Sequence, residues 1–285
     1  MLRPPCRRLQ SQRGSGCCFL PTLLERHMYK RIFYPDNIHA TTPEKFGLDY
    51  ETVYFNSEDG TRLNGWFIPA ATVASPKDAK GTVIHMHSNS GNISSHWHFA
   101  GWLPDQGYNV FVFDYRGFGK SFGQAEPKGI LEDAVAAITY VRSRTDIDTG
   151  RIFIFGQSLG GSLAIAAAAI NPEGVRAVVA ESAFYSYSSV ADERRPGEGY
   201  GLEPDDIYSG GHYVSKLSPI PLLLLHGTND SITDVAQSEQ LFAEANEPKR
   251  LELIKYGRHL AAMTEHYGDH FQREMIAFFE SAPAK

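Results

Sequence analysis

The stretch Gly156-Gln157-Ser158-Leu159-Gly160 decides the fold that this sequence predicts. It follows residues 151–155, a β-branched and aromatic run that is typical of a buried strand. It precedes residues 161–170, a run of strong helix formers. A G-x-S-x-G pattern between a strand and a helix is the sequence context of a nucleophile elbow. The sequence therefore predicts that Ser158 is a nucleophile.

The two glycines around Ser158 have a steric purpose in this interpretation. Without Cβ atoms, Gly156 and Gly160 let the strand and the helix pass closely at a tight turn. The turn holds Ser158 in a strained conformation at the helix N-terminus, where free N–H groups favour developing negative charge. The alternative interpretation is an ordinary loop serine between two packed elements.

Composition sets limits on the class of protein. The chain has 285 residues, of which 42% are hydrophobic and 21% charged, as in an ordinary soluble globular protein. Its net charge of -6 gives no reason to expect nucleic acid as a partner. The three cysteines, Cys6, Cys17 and Cys18, lie near the N-terminus, so the rest of the chain has no thiol for a disulfide, a zinc site or a nucleophile.

The N-terminal region, residues 1–49, is predicted to be a tail and docking segment. Its first part is rich in arginine and has no acidic residue before Glu25, which fits a basic arm, a processed leader or a wrongly assigned start. The Cys17-Cys18 pair is compatible with acylation and with two inert tail cysteines. Residues 23–34 have the spacing of an amphipathic helix. We expect no transmembrane span, and a cytoplasmic location and peripheral membrane contact through the N-terminus both remain open.

Residues 50–285 are predicted to form one α/β domain. It opens with a β-hairpin over 52–56 and 62–68, and strands then alternate with helices. The later strands are expected at 82–87, 109–114, 151–155, 175–181, 222–226 and 251–256. The helices are expected at 93–106, 131–144, 161–170, 234–244 and 263–279. This alternation predicts a mostly parallel sheet with helices on both faces, and a ligand site beyond the carboxyl ends of the strands.

The segment 182–219 shows no regular pattern and contains many aromatic residues. An aromatic insertion above the strand ends is typical of a lid that shapes an apolar pocket. The alternative is a surface excursion that does not contact a substrate.

A serine hydroxyl needs a base to take its proton, and that base needs an acid to orient it. In a sheet of this kind the acid and the histidine follow the serine along the chain, each just past a strand. Asp230 and His259 meet this condition. Asp234 is the rival acid, although it stands where a helix N-cap is expected. His226 ends its strand too early in this order.

Backbone donors for an oxyanion are expected at two places. One is the N–H of Leu159, the residue after the nucleophile. The other lies in the small-residue loop His87-Ser88-Asn89-Ser90-Gly91-Asn92, where we predict the Asn89 N–H, with Ser90 as the second choice. The alternative is a loop that only caps the following helix.

Other polar residues favour structural roles. His85 and His87 share a face of a strand, but no carboxylate or cysteine with ligand spacing accompanies them, so a metal site is not expected. Residues 96 and 98 diverge on a helix. Asp114, past another strand, is expected to pair with Arg116 or to cap nearby amides.

Taken together, these motifs resemble the α/β-hydrolase superfamily from about residue 50 to the C-terminus. Within it they are similar to a branch of membrane-anchored serine hydrolases, acyl-protein thioesterases and monoacylglycerol or lysophospholipid lipases, often labelled prolyl-oligopeptidase-like. The motifs are His87 to Asn92, Asp114 to Ser121, the Gly-Gln-Ser-Leu-Gly-Gly elbow, His-Gly-x-x-Asp ending at Asp230, and Gly-x-His ending at His259.

The resemblance implies an eight-stranded sheet and a cofactor-free hydrolase that cleaves ester or thioester bonds of a small-molecule or lipid-like acyl substrate. Two departures from the branch are visible. Ser88 stands where relatives have glycine, which is expected to strain the oxyanion loop, and the apolar anchor that precedes a Phe-Tyr-Pro segment in relatives is missing before residues 33–35. The alternatives are a peptidase of the prolyl-oligopeptidase type with the same triad, and a non-catalytic protein on the same fold.

Overall fold

The computed structural model describes residues 29–194, 201–264 and 266–283. The strands in this part of the chain are β1 (Tyr34–Pro35), β2 (Glu51–Asn56), β3 (Arg62–Ile68), β4 (Thr82–Met86), β5 (Ser90–Gly91), β6 (Asn109–Asp114), β7 (Ile152–Gln157), β8 (Val175–Glu181), β9 (Leu222–Gly227) and β10 (Lys249–Ile254). Eight of them form one sheet in the order β10-β9-β8-β7-β4-β6-β3-β2, and β1 pairs separately with β5. The predicted eight-stranded sheet is confirmed.

The predicted hairpin gives this sheet its mixed character. Strand β2 pairs antiparallel with β3, and β3 pairs antiparallel with β6, whereas the strands from β6 to β10 in the sheet are parallel. The parallel strands therefore point their carboxyl ends to one edge, as expected for a sheet that is built from strand–helix units.

Helices cover both faces of the sheet. The α-helices of the described residues are α1 (Ile93–His96), α2 (Pro127–Ser143), α3 (Leu159–Ile170), α4 (Tyr187–Arg194), α5 (Gly210–Tyr213), α6 (Val235–Glu244) and α7 (Gly268–Ser281). In β7, Ile152 and Ile154 pack in the hydrophobic cluster that contains α2 and α3. Phe153 and Phe155 pack in the opposite cluster, which contains α7. The alternation of β7 side chains thus divides the core into two layers.

Two predicted helices differ most from the structure, and the helix predicted at 131–144 begins four residues earlier, at Pro127. The prediction of one helix over 93–106 is wrong, because α1 is short and only 3-10 turns follow it at Trp97–Phe99 and Pro104–Gln106. Pro104 removes a backbone donor, and glycine at 101 weakens a helix interior. The last helix begins at Gly268 rather than at 263, because turns precede it: Thr264 N–H donates to the Ala261 carbonyl, and Tyr267 N–H donates to the Thr264 carbonyl.

The segment 182–219 is more regular than expected. It contains α4 and α5, and 3-10 turns at Glu203–Tyr208 and Val214–Lys216. Side chains bridge these short pieces: Ser188 N–H donates to Asp206 Oδ1 (2.8 Å). Local hydrogen bonds of serine and aspartate side chains replace the periodic apolar pattern that would have identified these helices in the sequence.

Only the end of the predicted N-terminal helix can be compared with the structure. Ile32 and Phe33 N–H groups donate to the Tyr29 carbonyl in a single turn, and β1 follows directly. The basic arm and the three cysteines lie outside the described residues. Among the helices that the structure describes, none is long and apolar enough to cross a membrane.

Candidate active site

Ser158 lies in a strained turn between β7 and α3, as the motif predicts. Its φ of 54° and ψ of -115° place a non-glycine residue in the left-handed half of backbone space. A Cβ on Gly160 would lie 1.9 Å from the Met86 carbonyl oxygen, and one on Gly156 would lie 2.1 Å from the Gly160 carbonyl oxygen. Both glycines are therefore required for the strand and the helix to pass at this point.

The backbone around Ser158 is anchored to the neighbouring strand. Ser158 N–H donates to the Glu181 carbonyl at the end of β8 (2.8 Å). Leu159 is the first residue of α3, so its N–H is one of the amide groups at the helix N-terminus that have no partner inside the helix. The serine and the first predicted oxyanion donor are thus consecutive residues of one rigid turn.

Asp230 and His259 meet at the same edge of the sheet, although they lie 29 positions apart in the chain. His259 Nδ1–H donates to Asp230 Oδ2 (2.7 Å). The Asp230 side chain is completely buried, whereas that of His259 keeps 18% of its surface exposed. Because Nδ1 is engaged by the carboxylate, Nε2 is the ring nitrogen that remains for a further partner.

The surroundings of Asp230 favour its ionised form. Burial by itself raises the pKa of this carboxyl group, but the hydrogen bonds from His226 and His259 outweigh it and hold the pKa well below its usual range. The backbone N–H groups of Ile232 and Thr233 also donate to Asp230 Oδ1 (2.9 and 3.0 Å). A carboxylate in this state can orient an imidazole and stabilise its charged form.

His226 lies beside Asp230, and this position was not predicted from the sequence. Its Nε2 lies 3.4 Å from Asp230 Oδ2, and its ring is also bound to Ser238 Oγ and the Thr233 carbonyl. The available signal was its place four residues before Asp230 in the His-Gly-x-x-Asp motif.

The structure separates the rival residues from this pair. The Asp234 side chain accepts a hydrogen bond from Ala236 N–H (2.9 Å), so it is the N-cap of α6, as expected. The predicted last helix, 263–279, includes positions 266 and 270, but only His270 lies in α7 because that helix begins at Gly268.

The loop after β4 binds the N-terminal docking segment. The Asn89 carbonyl accepts from Tyr34 N–H (2.8 Å), and the Asn89 side chain donates to the Ile32 carbonyl. The backbone carbonyl and the side-chain amide nitrogen of Asn89 are therefore both bound to the docking segment. Helix capping is performed by a different residue, because the Asn92 side chain accepts from Ser94 N–H (2.8 Å).

The strain expected at Ser88 is not found. The non-glycine residues with positive φ in the described part of the chain are Ser158, Ser182, Tyr256 and Leu260. Ser88 keeps an ordinary backbone conformation, and its hydroxyl lies 3.3 Å from His96 Nε2. A serine therefore fits this loop without the conformational freedom of glycine.

Asp114 and Arg116 belong to separate networks, so the predicted ion pair between them is wrong. Asp114 Oδ1 accepts from Ile93 N–H (2.8 Å), which confirms the predicted capping of an amide, and His39 Nε2 lies 3.1 Å from Oδ2. Arg116 instead donates to Asp133 (2.8 Å), since that carboxylate on α2 faces it directly.

Of the remaining histidines of this region, His85 and His87 are buried and His96 is half-buried. His85 Nε2 is hydrogen-bonded to Gln157 Oε1 (3.1 Å), and burial lowers the pKa of His85 to about 3. His87 stacks on His96, with ring centroids 5.6 Å apart. Burial lowers the pKa of His96 to about 4. In the described ranges, no group of three or more histidine, cysteine or acidic side chains is arranged to hold a metal ion.

Comparisons with known proteins agree with this architecture. The chain is 44% identical over 267 residues to the protein YfhR of Escherichia coli (strain K12), covering 93% of this chain and 91% of that protein. It is 32% identical over 220 residues to the alpha/beta hydrolase domain-containing protein WAV2 of Arabidopsis thaliana, covering 73% and 70%. An esterase of Pyrococcus furiosus superposes with a TM-score of 0.72 at 20% identity, covering 87% of this chain and 99% of that one, which shows the fold alone.

A family model identifies the chain more specifically. Residues 94–284 match the prolyl oligopeptidase family. This range begins in α1 and includes the elbow, Asp230 and His259. The chain therefore belongs to the prolyl oligopeptidase family, within the α/β-hydrolase superfamily.

Proposed function

We propose that this chain is a serine hydrolase that cleaves carboxylic ester or thioester bonds of small or lipid-like acyl substrates. The observation that carries the proposal is the hydrogen bond from His259 Nδ1–H to the buried Asp230 carboxylate, at the sheet edge where Ser158 sits in its strained turn. A nucleophile, a base and an orienting acid are the parts that acyl transfer to serine requires.

In the first half of the reaction, His259 Nε2 takes the proton of Ser158 Oγ as the oxygen attacks the acyl carbonyl carbon. Asp230 holds the ring in the tautomer that leaves Nε2 free to accept, and it stabilises the imidazolium that forms. The N–H groups of Leu159 and Asn89 donate to the tetrahedral oxyanion. The alcohol or thiol then leaves with the proton from His259.

In the second half, water attacks the acyl-enzyme and gives its proton to His259. The tetrahedral intermediate collapses, the carboxylic acid leaves and Ser158 regains its proton. Each step uses side chains and amides of the chain itself, so the proposed reaction needs no cofactor.

The segment 182–219 supports an acyl substrate. It lies directly over the nucleophile helix, since Gly210 N–H donates to Ser162 Oγ in α3 (2.7 Å). Its Phe184 and Tyr187 are buried with ring centroids 5.2 Å apart, and Tyr187 contacts Phe33 of the docking segment. We expect a segment with these aromatic side chains to favour an apolar acyl group over a charged one.

A serine peptidase of the prolyl-oligopeptidase type is the second candidate, and the family match favours it. A panel of p-nitrophenyl esters of graded chain length, an acyl-thioester and aminoacyl-anilides separates the two. We expect turnover of the esters or the thioester and little turnover of the anilides. Preferred cleavage of the anilides would identify a peptidase, and no turnover of any substrate would favour a non-catalytic protein on this fold.

A further inference from the structure

Glu181 is a buried carboxylate at the active-site edge of the sheet that the proposed reaction does not use. It is the last residue of β8, and no part of it is exposed. Burial raises the pKa of Glu181, and hydrogen bonds from Gln157 and Ala262 oppose this only in part. A carboxyl group so far from water requires hydrogen-bond partners, and its partners indicate its role.

The two side-chain oxygens of Glu181 bind two different parts of the site. Oε2 accepts from Gln157 Nε2 (2.7 Å), and Gln157 is the residue before the nucleophile. Oε1 accepts from Ala262 N–H (2.7 Å), three residues after His259. Since the Glu181 carbonyl also accepts from Ser158 N–H (2.8 Å), a single residue holds the serine turn and the histidine loop together.

The next residue, Ser182, adds a second connection to the histidine loop. Leu260 N–H donates to Ser182 Oγ (3.4 Å), and Ser182 N–H donates to the Leu225 carbonyl of β9 (2.8 Å). Ser182 and Leu260 have φ angles of 50° and 56°, which non-glycine residues keep only when their surroundings impose them. The backbone that follows His259 is thus fixed at residues 260 and 262.

We propose that Glu181 is a positioning residue that sets the separation between Ser158 Oγ and His259 Nε2. The inference rests on the proposed function. Proton transfer between these atoms requires a heavy-atom separation of about 2.6–3.2 Å. A displacement of about 1 Å in such a site can cost roughly 10²-fold in rate.

Two substitutions of Glu181 distinguish the effect of its length from the effect of its charge. Glu181→Gln keeps the length: its amide oxygen accepts from Ala262 N–H, and its NH2 group donates to Gln157 once the Gln157 amide has turned over. Burial lowers the pKa of His85 to about 3, so its ring is neutral, and with its proton moved to Nδ1 its Nε2 can accept from the turned amide. Glu181→Asp keeps the charge but is shorter by one carbon–carbon bond, about 1.5 Å, so it cannot reach both partners without movement.

The test measures kcat and KM for hydrolysis of p-nitrophenyl butyrate, at a temperature well below the melting temperature of each variant. The concentration of active sites is determined by titration with a fluorophosphonate probe, and kcat is given per active site. Glu181→Ala is expected to lower kcat roughly 10²-fold with KM nearly unchanged. Glu181→Gln is expected to retain most of kcat, and Glu181→Asp to retain less than Gln. An alanine variant with wild-type kcat overturns the proposal, and so does a higher kcat for Asp than for Gln.

A matched control separates positioning from stability. Asp133, on α2, is also a buried carboxylate, but its partner is Arg116. Asp133→Ala is expected to lower the melting temperature while kcat per active site stays near wild type. If Glu181→Ala does not fold, the order of the Asp and Gln variants decides the question.

The same probe distinguishes the two proposals. A wild-type protein that does not react with the fluorophosphonate refutes the proposed function, and the role of Glu181 falls with it. Wild-type and Glu181→Ala proteins that react at equal rates refute the positioning role alone.

Discussion

Two histidine–carboxylate pairs lie at the ends of strands in this molecule, and they differ in how exposed the histidine is. Asp230 follows β9 and binds His259 at 2.7 Å, with His226 at 3.4 Å. Asp114 ends β6 and lies 3.1 Å from His39, with His87 at 3.7 Å. Both carboxylate side chains are completely buried, so burial alone does not distinguish the pair that is proposed to react from the other one.

The surroundings of the two carboxylates separate them. Hydrogen bonds from His226 and His259 hold the pKa of Asp230 below its usual range despite burial. At Asp114 burial prevails and raises the pKa. The His39 ring packs edge-on against Trp66, with centroids 5.1 Å apart, and joins the docking segment to the sheet. The His259 side chain is 18% exposed, whereas that of His39 is only 6% exposed. An accessible imidazole can exchange a proton with a substrate, whereas an imidazole that is packed on a ring joins two segments.

The largest expected effect compares the same substitution in the two pairs. Asp230→Asn is expected to lower kcat roughly 10⁴-fold, because an amide stabilises neither the correct tautomer nor the imidazolium of His259. Asp114→Asn is expected to keep kcat within a few fold. Ester hydrolysis, with thermal unfolding as a folding check, measures both.

The comparison fails if the two variants lose activity equally. In that case Asp114 would belong to the reaction, and the difference between the pairs would not be one between chemistry and structure.

A smaller effect is expected where the docking segment meets the oxyanion loop. Asn89→Ala removes the side-chain bond to the Ile32 carbonyl but keeps the backbone N–H that is proposed to bind the oxyanion. The loss of one such bond corresponds to about 0.5–1.5 kcal/mol of stability, and kcat should fall at most about tenfold. Urea unfolding and steady-state kinetics measure these two quantities. A fall of roughly 10²–10³-fold in kcat would instead indicate that the side chain itself binds the oxyanion.

The smallest expected effect is a difference in the pH dependence of stability. The folded pKa of Asp230 lies below its unfolded value of about 3.9, so its stabilising contribution is present above that pH and is lost as the pH falls through the folded pKa. The folded pKa of Asp114 lies above its unfolded value, so the wild-type protein loses stability as the pH rises through it.

The measurement is urea unfolding of the wild-type protein and of each asparagine variant between about pH 3 and 7. The wild-type minus variant free energy of unfolding should rise with pH for Asp230→Asn and fall with pH for Asp114→Asn. Slopes of the same sign would show that the two carboxylates have similar environments.

Local patterns in the sequence were sufficient for the sheet and for the elbow. Short apolar runs predicted strands such as β6 and β8. The elbow was predicted from the glycines around Ser158, because the turn leaves no room for a Cβ at those two positions. One helix was predicted after β4, where the structure has short turns. The apolar residues there have helical spacing, but Pro104 disfavours a continuous helix.

The supporting contacts of the site could not be predicted in the same way. His39 and Asp114 lie 75 positions apart, and Glu181 binds Ala262 across 81 positions. Such contacts depend on which strands are neighbours in the sheet, and no spacing in the sequence encodes them. The positive φ of Ser182 and Leu260 is imposed by this tertiary arrangement in the same way.

The central claim is that Ser158, His259 and Asp230 form one proton path, and covalent labelling tests it most directly. The wild-type protein would be treated with a fluorophosphonate and the modified peptide mapped by mass spectrometry, beside Ser158→Ala and Asp230→Asn. We predict modification at Ser158 in the wild type, none in Ser158→Ala and much slower reaction in Asp230→Asn. Labelling that persists in Ser158→Ala, or that maps to another residue, would contradict the account.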